Sequence, residues 1–189
     1  MKTSPPKFLL LFVWVMLLFA GSAVAQTTTK KAPEDKSKRP SPPATVSTTV
    51  GDAKITINYS RPSMKGRKIF GELEPYGKVW RTGANEATTF ETSKAVTING
   101  QALLAGKYAL FTIPTEQEWT IIFNKTADQW GAFKYDEKQD ALRVKVKPTK
   151  TAQPVEQFTI KADKAGTVTM AWENTQAAFK VGSGAKAQL

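Results

Sequence analysis

Apolar and polar residues alternate along most of the chain after residue 43. In the segment 55–59, Ile-Thr-Ile-Asn-Tyr, every second residue is apolar, and 119–123, 142–147 and 168–172 repeat this pattern. A period of two places all apolar side chains of a strand on one face. The pattern therefore predicts half-buried β-strands. The predicted core includes Ile57, Trp119, Ile121, Phe123, Val144, Val168 and Met170.

Turn residues separate these strands. Asn99-Gly100 is the favoured dipeptide of a two-residue hairpin, and Asp-Lys-Ala-Gly at 163–166 marks a second hairpin. Helix signals are limited to one turn each at 69–73 and 126–130. The fold class is therefore all-β: an antiparallel β-sandwich or a jelly-roll-like barrel, with one long Gly/Pro-punctuated loop at 60–90. The predicted strands span 55–59, 95–98, 101–104, 107–113, 119–123, 142–147, 158–162, 167–173 and 176–181.

The amino-terminal 25 residues have the pattern of an export signal. A cationic start precedes an unbroken apolar run at 8–20, and Ala23-Val-Ala25 fits the small-x-small cleavage pattern. We expect cleavage before Gln26 and an exported protein, periplasmic or extracellular. The alternative is an uncleaved membrane anchor, because 8–25 reaches the lower edge of a spanning length.

The segment 26–43 contains no large apolar residue and is rich in Pro, Lys and Thr. Such a composition buries nothing and predicts a disordered linker. The remaining residues, 44–189, have the usual size of one domain. This part contains no second apolar run of spanning length, so no transmembrane span is expected after signal cleavage.

The chain contains neither cysteine nor histidine. Disulfides, a lipid anchor on an amino-terminal thiol, Cys/His zinc sites and Ser-His-Asp triads are therefore excluded. The acidic residues also lack the spacing of a calcium loop. We expect no metal and no cofactor.

Residues 44–189 carry an excess of six positive charges. A basic surface favours anionic partners, and it also aids solubility without any partner. For an exported protein we expect an anionic or glycan component of the cell envelope. Nucleic acid is not expected, because the lysines are spread over many segments.

Two motifs stand out in the long loop. They are 59–67, Tyr-Ser-Arg-Pro-Ser-Met-Lys-Gly-Arg, and 79–88, Val-Trp-Arg-Thr-Gly-Ala-Asn-Glu-Ala-Thr. Together with 68–77 they resemble the bacterial secreted family catalogued as domain of unknown function 2911, over roughly residues 41–147. That family has no established activity, so the resemblance assigns no catalytic or binding residue.

The arginine of the first motif lies at the end of a predicted strand. Alternation through Ile57 and Tyr59 places Arg61 on the inward side, and Pro62 ends the pairing. Its guanidinium is expected either to line a pocket or to close an Arg–Glu clasp, with Glu86 and Glu74 as the nearest carboxylates. In the clasp, the pair fixes the loop to the sheet.

The other candidate ligand-binding residues follow in the same loop. Lys65 and Arg67 flank a glycine that permits a nest of backbone N–H groups, although a solvated turn is the alternative. Trp80 presents a flat face to a sugar or fills the core beneath the loop. The best candidate pocket combines Arg61 with three residues of the second motif. These are Arg81, Asn85 and Glu86.

A second aromatic loop suggests a different chemistry. Trp130 is followed by Asp136, Glu137 and Asp140, and paired carboxylates near a sugar-stacking aromatic are typical of glycosidases. Three hypotheses follow. We favour a non-enzymatic envelope protein that binds a ligand or partner. The alternatives are a carboxylate-based glycan hydrolase that uses Glu86 with these acids, and a structural scaffold with a closed Arg–Glu clasp.

Overall fold

The computed structural model describes Met1 and residues 34–184. The predicted signal peptide, apart from Met1, and the linker up to residue 33 lie outside the described residues. Within the described part, ten strands and two short 3₁₀ helices follow one another. In chain order these are η1 (Lys36–Lys38), β1 (Pro43–Val50), β2 (Ala53–Ser60), β3 (Thr89–Thr92), β4 (Val96–Ile98), β5 (Gln101–Leu103), β6 (Gly106–Ile113), β7 (Trp119–Asn124), η2 (Glu137–Gln139), β8 (Asp140–Val146), β9 (Thr149–Ala162) and β10 (Thr167–Ser183).

The strands form two sheets that pack face to face. The large sheet has the order β1-β2-β3-β6-β7-β8, and the small sheet has the order β5-β4-β10-β9. All neighbouring strands are antiparallel. The predicted β-sandwich is therefore confirmed. Neither sheet closes on itself among the described strands, so the alternative of a barrel does not apply.

The inward faces of both sheets build one shared core. Ile57 pairs across the large sheet with Val46 on one side and Phe90 on the other. Ile121 pairs with Val144 in the same way. All the core residues predicted from the alternation are buried, which confirms that set. Burial of these apolar side chains provides the main favourable term for folding.

The two predicted hairpins form. Asn99 and Gly100 have φ of +48° and +84°, the left-handed pair that a two-residue type I′ turn requires. Asp163 and Gly166 close the second hairpin, with a 3.0 Å hydrogen bond from the glycine N–H to the aspartate carbonyl. Local turn chemistry therefore fixes both connections.

Three strand segments carried too weak a pattern to be predicted. β1 and β3 are rich in threonine and have few large apolar residues. The first half of β9 is polar and contains Pro154, although 158–162 was predicted. These segments are strands because their neighbours pair with them, not because of their own apolar pattern.

Two local predictions are wrong. The strands expected at 167–173 and 176–181 are one continuous strand, β10. Its register against β9 shifts on both sides of Glu173 (φ +54°), where β9 contains extra residues. No helical turn forms at 126–130. The segment 69–73 closes as a hydrogen-bonded turn, with the Glu72 N–H donating to the Ile69 carbonyl at 3.3 Å, but it is not helical, since Gly71 has φ of +91°. The 3₁₀ turns lie instead at η1 and η2, each of which begins after an aspartate whose carboxylate accepts a backbone N–H.

The last part of the predicted linker is also folded. The described residues from 35 to 184 belong to one compact unit, so the prediction of a linker is wrong for 35–43. The Arg61 N–H donates to the Pro42 carbonyl at 2.9 Å, and polar side chains make further contacts described below. A hydrophobicity pattern does not register such contacts. Among the described residues, no helix has the length and apolar character needed to cross a membrane.

The core assignment predicts stability losses. Ile57→Ala and Phe123→Ala should each lower the free energy of unfolding by about 2 to 5 kcal/mol, because both side chains are fully buried. Denaturant unfolding measures this loss. The control is Lys54→Ala on the exposed face of β2, which should change stability by less than about 0.5 kcal/mol. Equal losses for core and control variants would contradict the assignment.

Candidate functional site

A polar cleft lies on the outer face of the large sheet. Thr45 pairs with Asn58 across β1 and β2, and Asn58 pairs with Thr89 across β2 and β3. These three side chains form a polar row pointing away from the core. The cleft above them has a volume of about 270 Å³. It is lined by Lys36, Pro43, Ala44, Thr45, Asn58, Tyr59, Ser60, Glu86, Ala87, Thr89 and Lys107.

A second cleft of about 190 Å³ adjoins the first. The two share Glu86, Ala87 and Thr89. The second adds the loop after β7, represented by Ala127, Asp128, Gln129 and Trp130. We call the two together the Thr89 cleft, because the Thr89 side chain lies where they meet.

Glu86 is held by two cations from the amino-terminal segment. Lys36 Nζ lies 2.8 Å from Glu86 Oε1, and Arg39 Nη1 lies 2.8 Å from Glu86 Oε2. Burial acts to raise the pKa of Glu86, but hydrogen bonds from Lys36, from its own backbone and from Arg39 outweigh burial and lower the pKa to about 2. Glu86 is therefore an anion at neutral pH and cannot donate a proton.

Trp80 anchors the loop that leads to Glu86. Its side chain is only 3% exposed, and its Nε1 donates to the Gly83 carbonyl at 3.0 Å. Of the two roles predicted for Trp80, the structure places it in the core, where a ligand cannot reach its face. Its aromatic neighbours, at centroid distances of 5.1 to 6.4 Å, are Phe70, Trp119, Phe158 and Trp172.

Three residues with positive φ give this loop its shape: Thr82, Gly83 and Asn85. Gly83 has φ of +151°, and a Cβ there would lie 2.9 Å from the Ser60 carbonyl oxygen. Asn85 has φ of +59°, and its Nδ2 donates to the Ser41 carbonyl at 3.0 Å and to Ser60 Oγ at 3.3 Å. Asn85 thus joins the amino-terminal segment to β2 and orients the neighbouring Glu86.

Two buried polar atoms of the Thr89 cleft lack a partner. Thr89 Oγ1 and Gln129 Oε1 make no hydrogen bond within the described part of the chain, although both residues are only 9% exposed. Gln129 Nε2, by contrast, donates to the Thr126 carbonyl at 2.6 Å. An unsatisfied buried polar atom is unfavourable by about 1 to 3 kcal/mol, so a ligand that supplies the missing hydrogen bonds gains affinity.

Two exposed aromatic rings lie in the loop after β7. Trp130 is 58% exposed and Phe133 is 86% exposed. The Arg39 guanidinium lies 5.8 Å from the Trp130 ring centroid, within the range of a cation–π contact. This contact orients the indole next to Glu86 and leaves much of the ring accessible.

The acids proposed for hydrolysis have structural partners. The Asp140 carboxylate accepts hydrogen bonds from Asn124 at 2.8 Å, from Tyr135 at 2.7 Å and from Arg143 at 2.7 Å. Two further contacts engage the other acids: the Asp136 carboxylate accepts the Lys138 N–H at 3.0 Å, and Glu137 pairs with Arg143 at 3.2 Å. Burial and the Asp140 carboxylate raise the pKa of Tyr135 to about 12.

Arg81 has a different carboxylate neighbour. Its Nε is buried and makes no hydrogen bond among the described residues. The Glu74 carboxyl group is close enough to interact electrostatically: burial raises the pKa of Glu74 to about 7, and the positive charge of Arg81 opposes that rise. Glu74 therefore titrates near neutral pH.

The predicted clasp between Arg61 and a glutamate is wrong. The Arg61 guanidinium donates to the Phe158 carbonyl at 3.3 Å and to Thr159 Oγ1 at 3.0 Å, so it binds the edge strand β9 of the small sheet. An Arg–Glu pair does exist, but its arginine is Arg39. Arg39 lies in the segment predicted to be a linker, where the sequence has no apolar pattern.

Lys65 and Arg67 lie in a turn beside β9. The Lys65 N–H donates to Glu156 Oε1 at 2.9 Å, and the Arg67 guanidinium donates to the Met64 and Ser63 carbonyls at 3.0 and 2.7 Å. These contacts fit the solvated turn that was the alternative to an anion nest. The structure thus does not bring them to Glu86.

Most polar residues of the Thr89 cleft were not recognisable from the sequence. Of the predicted site residues, Glu86 lines the cleft and Asn85 supports it. Thr89 and Gln129 belong to no sequence motif. Of the residues that the loop after β7 adds to the cleft, only Trp130 was predicted from the sequence, because it is aromatic. Among the described residues, no group of three or more acidic side chains is placed to hold a metal ion.

Comparison with known proteins identifies the family. The family model described as "Protein of unknown function (DUF2911)" matches residues 41–181, so the chain belongs to this family. No curated protein and no solved structure matches the chain. The family match extends to most of β10, beyond the range over which the motifs show the resemblance.

The contacts of Glu86 predict a pH-dependent loss of stability. Glu86→Gln should lower the free energy of unfolding at pH 7 by about 1 kcal/mol, since partly exposed ion pairs contribute about 0.2 to 1 kcal/mol each. Because the folded-state pKa is depressed, this difference should shrink as pH falls from about 4.5 to 2. Urea unfolding over this range measures it. Glu91→Gln, on the exposed face of β3, is the control, and an equal effect of both variants would contradict a stabilising role of the Glu86 ion pairs.

The raised pKa of Glu74 predicts the opposite pH dependence of the free energy of unfolding. Its folded-state pKa is raised to about 7, so its contribution to stability is lost as pH rises from the ordinary glutamate pKa of 4.5 through 7. Glu74→Gln should therefore stabilise the protein relative to wild type at pH 8 and much less at pH 4.5. Thermal melts across this range test it, with the exposed Glu72→Gln as control. A difference that does not change with pH would refute the assignment.

Proposed function

We propose that this chain is an exported, non-enzymatic protein whose Thr89 cleft binds a neutral polyhydroxyl ligand, such as the sugar units of an envelope glycan. The observation that carries the proposal is the pair of buried, unpartnered polar atoms, Thr89 Oγ1 and Gln129 Oε1, beside the exposed Trp130. Export rests on the predicted signal at 1–25.

Hydroxyl groups are the ligand chemistry that fits these atoms. Gln129 Oε1 requires a donor, whereas the Thr89 hydroxyl both donates and accepts. A sugar hydroxyl can donate to the first and exchange hydrogen bonds with the second. Asn58 and Ser60 add further polar groups along the floor of the cleft. A purely apolar ligand would leave these groups unsatisfied.

Trp130 supplies the apolar part of a sugar site. An indole ring presents a flat surface to which the C–H face of a pyranose can pack. Its exposure leaves that surface available, while Arg39 restricts its orientation. The combination of one flat ring and several hydroxyl partners supports a saccharide.

The charges at the cleft support a neutral ligand more than an anionic one. Lys36 and Arg39 are paired with Glu86, and Lys107 Nζ lies 2.9 Å from Asp128 Oδ1. Each cation would have to leave a carboxylate before it could bind an anion. Of the two partner classes expected from the sequence, the contacts therefore support the glycan over an anionic polymer.

The two alternatives have less support. A hydrolase needs a proton donor, but Glu86 is ionised down to about pH 2, and the acids at 136–140 are engaged in structural contacts. A scaffold role explains the pairing of Glu86 with Arg39. It does not explain why Thr89 and Gln129, which line a cleft, each have a buried polar atom without a partner among the described residues.

Substitutions at Thr89 and Trp130 should weaken ligand binding without lowering the stability of the fold. We expect Thr89→Val to weaken binding of an oligosaccharide about tenfold, because the hydroxyl is lost while the shape is retained. The same change should leave the free energy of unfolding equal or higher, since a buried unpaired polar group is removed. Trp130→Ala should weaken binding by a similar factor. A glycan array identifies the oligosaccharide, and calorimetry measures its affinity.

Two control variants make the test specific. Thr56→Val lies on the outward face of β2 outside the lining of the cleft, and Phe133→Ala removes an exposed ring that does not line it. Both should bind like wild type. The proposal fails if no glycan on the array binds, or if Thr89→Val and Trp130→Ala bind as tightly as the controls.

A further inference from the structure

A different cleft opens at one end of the sandwich, where the β6–β7 and β8–β9 connections meet. Its volume is about 260 Å³. Phe70 and Trp119, both buried, form its apolar floor. Polar side chains of Glu116, Lys150 and other residues form its rim. We call this space the end cleft. It shares no lining residue with the Thr89 cleft.

The floor of the end cleft contains an unpartnered donor. Trp119 is 1% exposed, and its Nε1 makes no hydrogen bond among the described residues. The indoles of Trp80 and Trp172, which are equally buried, donate instead to the Gly83 and Glu156 carbonyls. The Trp119 ring packs edge-to-face on Phe70 at 4.8 Å. A buried indole N–H normally has an acceptor, so a bound molecule that supplies one forms a hydrogen bond that the described residues leave unmade.

The rim of the end cleft carries one charge of each sign. Lys150 and Glu116 both line it, and neither has an ion-pair partner within the described part of the chain. Lys150 can therefore meet an anionic group without giving up an existing pair. Glu116 would repel a second anionic group on the same ligand.

We infer that the end cleft binds a small monocarboxylate with an apolar, ring-like body. The body packs against Phe70 and Trp119, and one carboxylate oxygen accepts the Trp119 N–H. A charge-assisted hydrogen bond of this kind is about twice as strong as a neutral one. Lys150 balances the negative charge, and Glu116 disfavours dicarboxylates. This site is independent of the proposed glycan-binding function, and either can fail alone.

Indole N–H signals in a nitrogen–proton correlation spectrum test the inference directly. The probes are 3-phenylpropionate, 2-phenylethylamine and phenylsuccinate, which share a ring and differ in charged groups. We expect 3-phenylpropionate to move the Trp119 indole signal downfield in a saturable manner. The indole signals of Trp80 and Trp172 should stay in place, because their partners are within the protein. The amine and the dicarboxylate should have little effect.

Variants assign the signal and test the rim. Trp119→Phe removes the donor but keeps a ring, and should both delete the signal and weaken binding about tenfold. Lys150→Gln changes an exposed side chain, so it tests the site even if the first variant does not fold. It should weaken binding about two- to fivefold. Glu116→Gln is the matched control on the same rim and should bind 3-phenylpropionate at least as well as wild type.

Several results would overturn the inference. One is a Trp119 signal that does not move with 3-phenylpropionate up to tens of millimolar, which would mean that no bound carboxylate reaches the indole N–H. A second is an equal shift with 2-phenylethylamine, since the site would then not select a carboxylate. A third is unchanged affinity in the Lys150→Gln variant.

Discussion

The burial of Trp80 between the two sheets is the interaction on which the rest of the structure depends. Its ring packs among four other aromatic side chains, and aromatic pairs of this geometry contribute about 0.5 to 1.5 kcal/mol each beyond burial. Its Nε1 holds the Gly83 carbonyl, which fixes the loop that continues to Glu86. One side chain therefore couples the core of the sandwich to the cleft on its outer face.

Polar contacts complete the cleft that Trp80 positions. Glu86 forms ion pairs with Lys36 and Arg39, and Arg39 in turn orients Trp130 through a cation–π contact. The amino-terminal segment is thus held by charge and hydrogen bonds rather than by buried apolar area. Such contacts are individually weak and sensitive to pH and salt. The wall of the cleft is therefore expected to be less stable than its floor.

The sequence predicted the sandwich well because its strongest strands face one core. The alternation in β7 and β8 and the Asn99-Gly100 turn determine local structure by themselves. The site was harder to predict, since its parts come from distant segments whose residues carry no motif. Thr89 is recognisable as a site residue only from the strand pairing, which places it beside Asn58. Arg39 was missed because polar segments show no periodicity even when ion pairs order them.

The central claim is that the Thr89 cleft binds a sugar through its unpartnered polar atoms. The most direct measurement is a crystal structure of the protein soaked with an oligosaccharide that it binds. The account predicts sugar hydroxyls within about 3.2 Å of Thr89 Oγ1 and Gln129 Oε1, with a pyranose ring packed on Trp130. A sugar bound elsewhere on the molecule, with both atoms satisfied by water, would contradict it.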